Sequence, residues 1–144
     1  MPAISVRPVS TAGTRPVPGI TSRLISFASS GLSAYLRGKQ KEHFLALYLN
    51  ARKQLVHKET ISIGTLTETL AYPREVFEPA IRHLASSVIL AHNHPSKNME
   101  VSEADMKLTE KLIQSGTILD IEVLDHIITD NGYISFKEKG VLFR

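Results

Sequence analysis

The chain has 144 residues, of which 42% are hydrophobic, which is enough for one domain with a core and too few for two. It contains no cysteine, which excludes a disulfide framework, cysteine-ligated zinc, a cysteine nucleophile and the zinc deaminases, whose ligands include a cysteine pair. The formal net charge is +3, but Arg7 and Arg15 supply much of it, because the chain beyond residues 1–21 has 15 basic against 14 acidic residues.

Residues 1–21 are rich in proline and glycine and poor in large apolar side chains. Such a segment buries too little apolar surface to offset the entropy that is lost on ordering. The sequence therefore predicts a flexible tail over residues 1–21 and a single domain over residues 22–144. No apolar stretch reaches the eighteen or so residues of a membrane span and the N-terminus lacks a signal-peptide pattern, which favours a cytoplasmic protein.

Helical and strand patterns alternate through the first half of the domain. A short helix is predicted over residues 30–37, followed by a strand over residues 44–49. A turn over residues 50–53 leads to a second strand, residues 54–63. The period of two predicts that one face of this strand carries Leu55, His57, Glu59, Ile61 and Ile63. Glu59 is thus expected among inward-facing apolar side chains.

The next helix is predicted to begin at Pro73, since proline suits the first helical position. Its apolar residues follow at helical spacing and are Val76, Phe77, Ala80, Ile81 and Leu84. The helix leads into a short strand, residues 88–91, whose uninterrupted apolar sequence is typical of a strand that is buried on both faces.

The last part of the chain predicts a helix over residues 102–115, ended by Gly116. A strand over residues 121–129 follows, and the turn at residues 130–132 leads to a final strand over residues 133–136. Strands that alternate with helices, together with two hairpins, predict a three-layer α/β domain with a mixed β-sheet flanked by helices.

The strand over residues 88–91 delivers two histidines at its end. His92 and His94 are two residues apart, so their side chains point to the same side of an extended segment and can bind one cation. Ser102 is a good helix N-cap, and Asp105 follows in the first turn. Two imidazoles and one carboxylate are the three protein ligands of a catalytic zinc ion, which leaves a fourth position for a water nucleophile.

Each of these residues also has a simpler structural explanation. A histidine pair at a strand end is often a surface feature, and Ser102 with Asp105 could form a capping box and nothing more. Glu59 alone is best explained as a surface residue of an edge strand. His126, which follows Asp125 in a predicted strand, is better explained as a buried, hydrogen-bonded histidine than as a partner of the site.

The complete pattern of His92, His94, Ser102 and Asp105 resembles the signature of the JAB/MPN metalloenzyme family, whose members include zinc isopeptidases. Within that family the chain is most similar to the RadC group, over roughly residues 29–144. The similar blocks are Leu47-Tyr-Leu-Asn-Ala-Arg-Lys-Gln-Leu55, Gly64-Thr-Leu66, Tyr72-Pro-Arg-Glu-Val-Phe77, Ile89-Leu-Ala-His-Asn-His-Pro-Ser96 and Leu124-Asp-His126. The resemblance implies the MPN fold, which is related to the cytidine-deaminase fold.

The resemblance also implies the chemistry. Zn2+ would be held by His92, His94 and Asp105, Glu59 would be the general acid/base, and Ser102 would assist the oxyanion. The expected activity is hydrolysis of an amide bond in a peptide, isopeptide or protein substrate.

Two alternatives stay open. One is an action on nucleic acid, in line with the DNA-repair label of the RadC group and with six basic residues between positions 37 and 58, although a near-neutral domain argues against it. The other is a non-catalytic, metal-stabilised interaction module.

Overall fold

The structure, a computed structural model of the chain, describes residues 31–64, 71–95, 100–129 and 132–143. The predicted tail over residues 1–21 lies outside these ranges, and so do residues 97–99 of the loop after the histidines and residues 130 and 131 of the last hairpin turn.

Within the described residues, three helices and five strands alternate along the chain. In order they are α1 (residues 31–36), β1 (Glu42–Leu49), β2 (Leu55–Gly64), α2 (Pro73–Arg82), β3 (Ser87–Asn93), α3 (Glu103–Leu119), β4 (Glu122–Thr129) and β5 (Tyr133–Ser135). The strands form one sheet in the order β2-β1-β3-β4-β5, in which β3 and β4 are parallel and the other pairs are antiparallel. The predicted α/β fold with a mixed sheet is confirmed.

Helices cover both faces of the sheet and create two apolar layers. On one face, Leu32 and Leu36 of α1 pack against β1, β3 and β4. On the other face, Phe77 of α2 and Leu112 of α3 pack against alternate residues of β1 and β3. All seven residues of β3 are buried, as expected for a central strand that is covered on both sides.

β1 begins at Glu42, two residues before the predicted start of this strand. Glu42 is only 6% exposed, and it lies at the end of the alternating series that continues through Phe44, Ala46 and Tyr48. These side chains point to the face that carries α2 and α3. A buried glutamate therefore stands on the same face of the sheet as the apolar core.

The predicted inward face of β2 is only partly correct. Leu55 and Ile63 are each 55% exposed, whereas His57, Glu59 and Ile61 are half-buried. The pairing with β1 slips at two points, so that Val56 and Ile61 are extra residues in β2. Each bulge reverses the alternation of side chains, which turns both ends of the predicted face toward solvent.

α2 begins at Pro73, as predicted, but its apolar face is shorter than the sequence indicates. Val76, Phe77 and Ala80 are buried, whereas Ile81 is 57% exposed and Leu84 is 86% exposed. The helix ends at Arg82, and Leu84 has φ of 54°, so its side chain no longer follows the helical repeat.

α3 continues past the predicted stop at Gly116 and ends at Leu119, and the capping residue that follows, Asp120, has a left-handed φ of 58°. Gly116 lies inside the helix, at a position that requires glycine. A Cβ atom there would collide with the carbonyl oxygen of Ile121 and would lie 3.2 Å from the Phe77 ring. This glycine therefore serves close packing and not helix termination. Among the helices in the described ranges, none has the length and apolar character needed to cross a membrane.

Candidate metal centre

The end of β3 and the residue that follows it carry the two histidines that the sequence singles out. His92 is 1% exposed and His94 is 8% exposed. Phe44 of β1 pairs with His92 across the sheet, and their rings stack with centroids 6.1 Å apart. The period of two therefore places both imidazoles on the face that carries α2 and α3.

The first turn of α3 contributes Asp105. The Ser102 hydroxyl oxygen accepts the backbone N–H of Asp105 at 3.0 Å, and Asp105 Oδ2 accepts the backbone N–H of Ser102 at 3.1 Å. This capping box holds the carboxylate in place and points it at β3. Asp105 is thus a capping residue and, at the same time, a neighbour of the two histidines.

The three side chains converge on one point. His92 Nε2 lies 2.8 Å from His94 Nε2 and 3.3 Å from Asp105 Oδ1, and His94 Nε2 lies 3.2 Å from Asp105 Oδ2. Ligands that bind a tetrahedral ion at 2.0–2.1 Å are about 3.3 Å apart, so the two contacts with Asp105 match the spacing of such a site, whereas the contact between the two histidines is shorter. Among the described residues, this is the group of histidine and carboxylate side chains that could hold a metal ion.

Electrostatics keep these groups in the protonation states that a metal requires. Burial alone would raise the pKa of Asp105, but the contacts of its carboxylate with His92, His94 and Ser102 hold the pKa of this carboxyl well below its usual range. Burial lowers the pKa of His92, although Asp105 opposes the shift. The cluster therefore presents an ionised carboxylate and a neutral imidazole near neutral pH.

Glu42 is the acidic residue near this cluster that sequence reasoning missed. Because Phe44 pairs with His92 in an antiparallel register, Glu42 falls opposite His94, on the same face of the sheet. Burial raises the pKa of Glu42 to about 7; the charge of His94 opposes this shift and that of Asp105 adds to it. Extending the alternating pattern of β1 back from Phe44 would have identified it.

Glu59 lies elsewhere. It pairs with Ala46, which in turn pairs with Leu90, two residues before His92. Two strand spacings and two residues therefore separate the Cα atoms of Glu59 and His92, which corresponds to roughly 12 Å. The Glu59 carboxylate instead lies 2.7 Å from His57 Nε2 and 3.9 Å from Arg82 Nη2 of α2.

His126 is fully buried, as predicted, yet it also contacts the site. Its Nε2 lies 2.7 Å from Nδ1 of His92, and its Nδ1 lies 2.5 Å from the Thr109 hydroxyl of α3. β4 is parallel to β3 and pairs His126 with Leu90, so the two histidine rings meet on the same face of the sheet. Sequence spacing alone could not reveal this contact between residues 34 positions apart.

Similarity to known proteins agrees with this arrangement. The profile of the RadC-like JAB domain matches residues 25–141. The chain is 44% identical over 124 residues to a UPF0758 protein of Rubrobacter xylanophilus, an alignment that covers 83% of this chain and 55% of the relative. It is 52% identical over 108 residues to a UPF0758 protein of Desulforamulus reducens, with 74% and 48% covered.

A UPF0758 protein of Bacillus cereus strain Q1 is 48% identical over 106 residues, with 73% of this chain and 47% of the relative covered. The chain thus spans about half the length of these relatives. The matched residues include β3 and α3, which position the three side chains of the candidate metal centre. The chain belongs to the family of RadC-like JAB domains.

Proposed function

We propose that this domain is a zinc-dependent hydrolase of amide bonds, of the metallopeptidase or isopeptidase type. The observation that carries the proposal is the convergence of His92 Nε2, His94 Nε2 and the Asp105 carboxylate on one point. Two imidazole nitrogens and one carboxylate, with room for a fourth ligand, are the donor set of catalytic zinc sites. A zinc ion held there would lower the pKa of a water molecule and polarise the scissile carbonyl.

Glu42 is the general base in this proposal. It takes up the proton of the attacking water and passes it to the amine that leaves. Its pKa of about 7 suits both steps, because a group that gains and then loses a proton works best when its pKa is near the working pH. We assign the role to Glu42 and not to Glu59 because Glu42 faces His94 across one strand pair, whereas Glu59 is bonded to His57.

Ser102 assists the oxyanion. Its hydroxyl oxygen accepts the backbone N–H of Asp105, which leaves the hydroxyl hydrogen to be donated to negative charge that develops on the substrate. The residue is exposed, at the start of α3, so a substrate can reach it.

The substrate class is a peptide, isopeptide or protein amide, and the absence of cysteine suits a reducing, cytoplasmic compartment. A nucleic-acid partner has less support. Lys41 precedes β1 and Arg52 and Lys53 follow it, so these three cations are divided between the two ends of the strand. Lys39 and Lys58 lie together over the Tyr35 ring, with their Nζ atoms 5.2 Å and 5.1 Å from its centroid. An eight-residue strand is about 26 Å long, which is too far for one compact phosphate site.

A pair of matched variants tests the proposal. Glu42→Gln removes the proton acceptor but keeps the size of the side chain, so hydrolysis of a peptide or isopeptide library should fall by about 10²- to 10⁴-fold. Glu59→Gln removes the same charge from the neighbouring strand and should leave hydrolysis unchanged. Elemental analysis should find about one zinc ion per chain in the wild type and in both variants.

The reverse result, in which Glu59→Gln is inactive and Glu42→Gln is active, would show that Glu42 is not the base. Loss of zinc from Glu42→Gln would make Glu42 a ligand instead. A zinc-loaded wild type that cleaves no member of the library would contradict hydrolysis and support a metal-stabilised interaction module.

A further inference from the structure

His126 lies behind His92, on the side of the His92 ring that faces away from His94 and Asp105. His92 uses Nε2 to face His94 and Asp105, and its other ring nitrogen, Nδ1, lies 2.7 Å from His126 Nε2. Both rings are fully buried, so water does not compete for this contact. A hydrogen bond joins the two histidines, and one of them must donate it.

Thr109 determines the direction of that bond. Its hydroxyl oxygen lies 2.7 Å from the backbone carbonyl oxygen of Asp105, which can only accept, so the hydroxyl hydrogen is donated there. The same hydroxyl oxygen must therefore accept from Nδ1 of His126 at 2.5 Å. The hydrogen of the neutral His126 ring is thus on Nδ1, and its Nε2 carries a lone pair.

The consequence falls on His92. Because His126 Nε2 is an acceptor, His92 must donate from Nδ1–H, and the lone pair of the neutral His92 ring is then on Nε2. That nitrogen faces Asp105 and His94. In the opposite tautomer a hydrogen would occupy the position at which a metal ion binds.

Aromatic packing holds the orientation of the His126 ring. Phe136 stacks on it with ring centroids 4.7 Å apart and planes 19° apart, and Phe44 meets it edge-on at 5.6 Å. Both phenylalanines are at most 1% exposed. A ring packed in this way between two others cannot turn over without opening the core.

We propose that Thr109 and His126 are positioning residues that hold His92 in the tautomer whose Nε2 lone pair faces the metal position. The chain of hydrogen bonds begins at one ligand, His92, and ends on the backbone of another, Asp105, so it also ties β3 to the first turn of α3 through β4. This inference rests on the metal binding proposed above. Loss of a hydrogen bond to the ring nitrogen of a histidine ligand that does not bind the metal typically weakens metal affinity by about 10- to 100-fold.

Thr109→Val is the decisive variant, because valine keeps the shape of threonine and replaces the hydroxyl by a methyl group, which neither donates nor accepts a hydrogen bond. The matched control is Thr117→Val on the same helix, where the Thr117 hydroxyl also bonds to the carbonyl four residues earlier, at 2.9 Å, and the residue is exposed. Titration with Co2+, and competition between Zn2+ and a chromophoric chelator, should show about 10- to 100-fold weaker binding for Thr109→Val and unchanged binding for Thr117→Val.

His126→Gln and His126→Leu extend the test, because the glutamine carbonyl can accept the His92 N–H and leucine cannot. We expect the Gln variant to retain more Co2+ affinity than the Leu variant. Equal affinity in wild type and Thr109→Val would overturn the inference, and so would an equal loss in Thr117→Val, which would indicate a general effect on the helix.

A second measurement does not require metal. In the metal-free wild type, 15N NMR of the histidine rings should find His126 protonated at Nδ1, and protonation at Nε2 instead would overturn the inference. If the wild type binds neither Zn2+ nor Co2+, the proposed function fails, and this tautomer measurement decides the hydrogen-bond chain by itself.

Discussion

Asn93, the last residue of β3, lies between His92 and His94, and the period of two points its side chain to the opposite face of the sheet. Its Oδ1 accepts the backbone N–H of His43 at 2.6 Å, and its Nδ2 donates to the backbone carbonyl of Lys41 at 3.1 Å. These two backbone groups flank Glu42. One buried amide therefore aligns the start of β1, with its proposed base, against the metal ligands.

Asn93→Ala should lower kcat without removing the metal. Loss of both hydrogen bonds lets the Glu42 backbone shift, and a displacement of about 1 Å in a catalytic group can lower the rate by about 10²-fold. Steady-state kinetics with zinc analysis measures this. Asn50→Ala is the control, because the Asn50 side chain also makes two hydrogen bonds to the backbone, by accepting the N–H groups of Arg52 and Gln54 in the hairpin at the other end of β1. Equal loss of kcat in both variants would contradict a local role for Asn93.

At the scale of the element, α3 carries Asp105 in its first turn, Thr109 in its second and Gly116 near its end. The close approach at Gly116 sets how tightly the helix packs against α2 and the start of β4, because the atoms that a Cβ would meet belong to Phe77 and Ile121. Two effects of an alanine at this position oppose each other. Helix propensity favours alanine over glycine by about 1 kcal/mol, whereas overpacking typically destabilises by about 1–3 kcal/mol.

Gly116→Ala should therefore lower the free energy of unfolding, because the colliding atom is a backbone oxygen that cannot rotate away. Urea denaturation measures the change, and we expect a net loss of about 1–2 kcal/mol. Ser115→Ala, one residue earlier on the same helix, removes only a hydroxyl bonded to the Lys111 carbonyl and should be close to neutral. A stabilised Gly116→Ala protein would mean that propensity dominates and that the helix has room to move.

At the scale of the whole molecule, three elements from distant parts of the chain meet at one end of the sheet: the start of β1, the end of β3 and the start of α3. The site therefore forms only when the whole domain is folded. Folding also buries Glu42, whose side chain is ionisable. In the metal-free protein this burial has a consequence for stability. Because the pKa of Glu42 is raised to about 7, the folded state binds a proton more tightly than the unfolded chain does.

The contribution of Glu42 to stability is fully present below its unfolded pKa of 4.5 and is lost as the pH rises through about 7. Glu42→Gln has no such titration. The free energy of unfolding of the variant minus that of the wild type should therefore increase between about pH 4.5 and 7 and level off above. Denaturation of both metal-free proteins across this range measures the difference, in which the contributions of groups that do not interact with Glu42 cancel. Parallel curves would mean that Glu42 titrates normally in the folded protein.

Local patterns in the sequence were sufficient to predict much of the fold and part of the site. His92 and His94 share a side because a strand has a period of two, and Asp105 occupies a first helical turn because Ser102 caps it; both relations act over a few residues. The order of strands and helices follows from the same short-range patterns, and the structure confirms it. The predicted end of a helix was wrong where a distant contact overrides a local preference. Gly116, for example, is needed for packing and does not end α3.

Only the tertiary structure decided which glutamate approaches the ligands and what His126 contacts. Glu42 and Glu59 both lie in strands next to apolar residues, but the register of β1 against β3 puts Glu42 opposite His94 and leaves Glu59 bonded to His57. The parallel pairing of β3 with β4 likewise brings His126 to His92. Strand register and strand order are set by the packing of the whole sheet between its helices, and no spacing within the sequence encodes them directly.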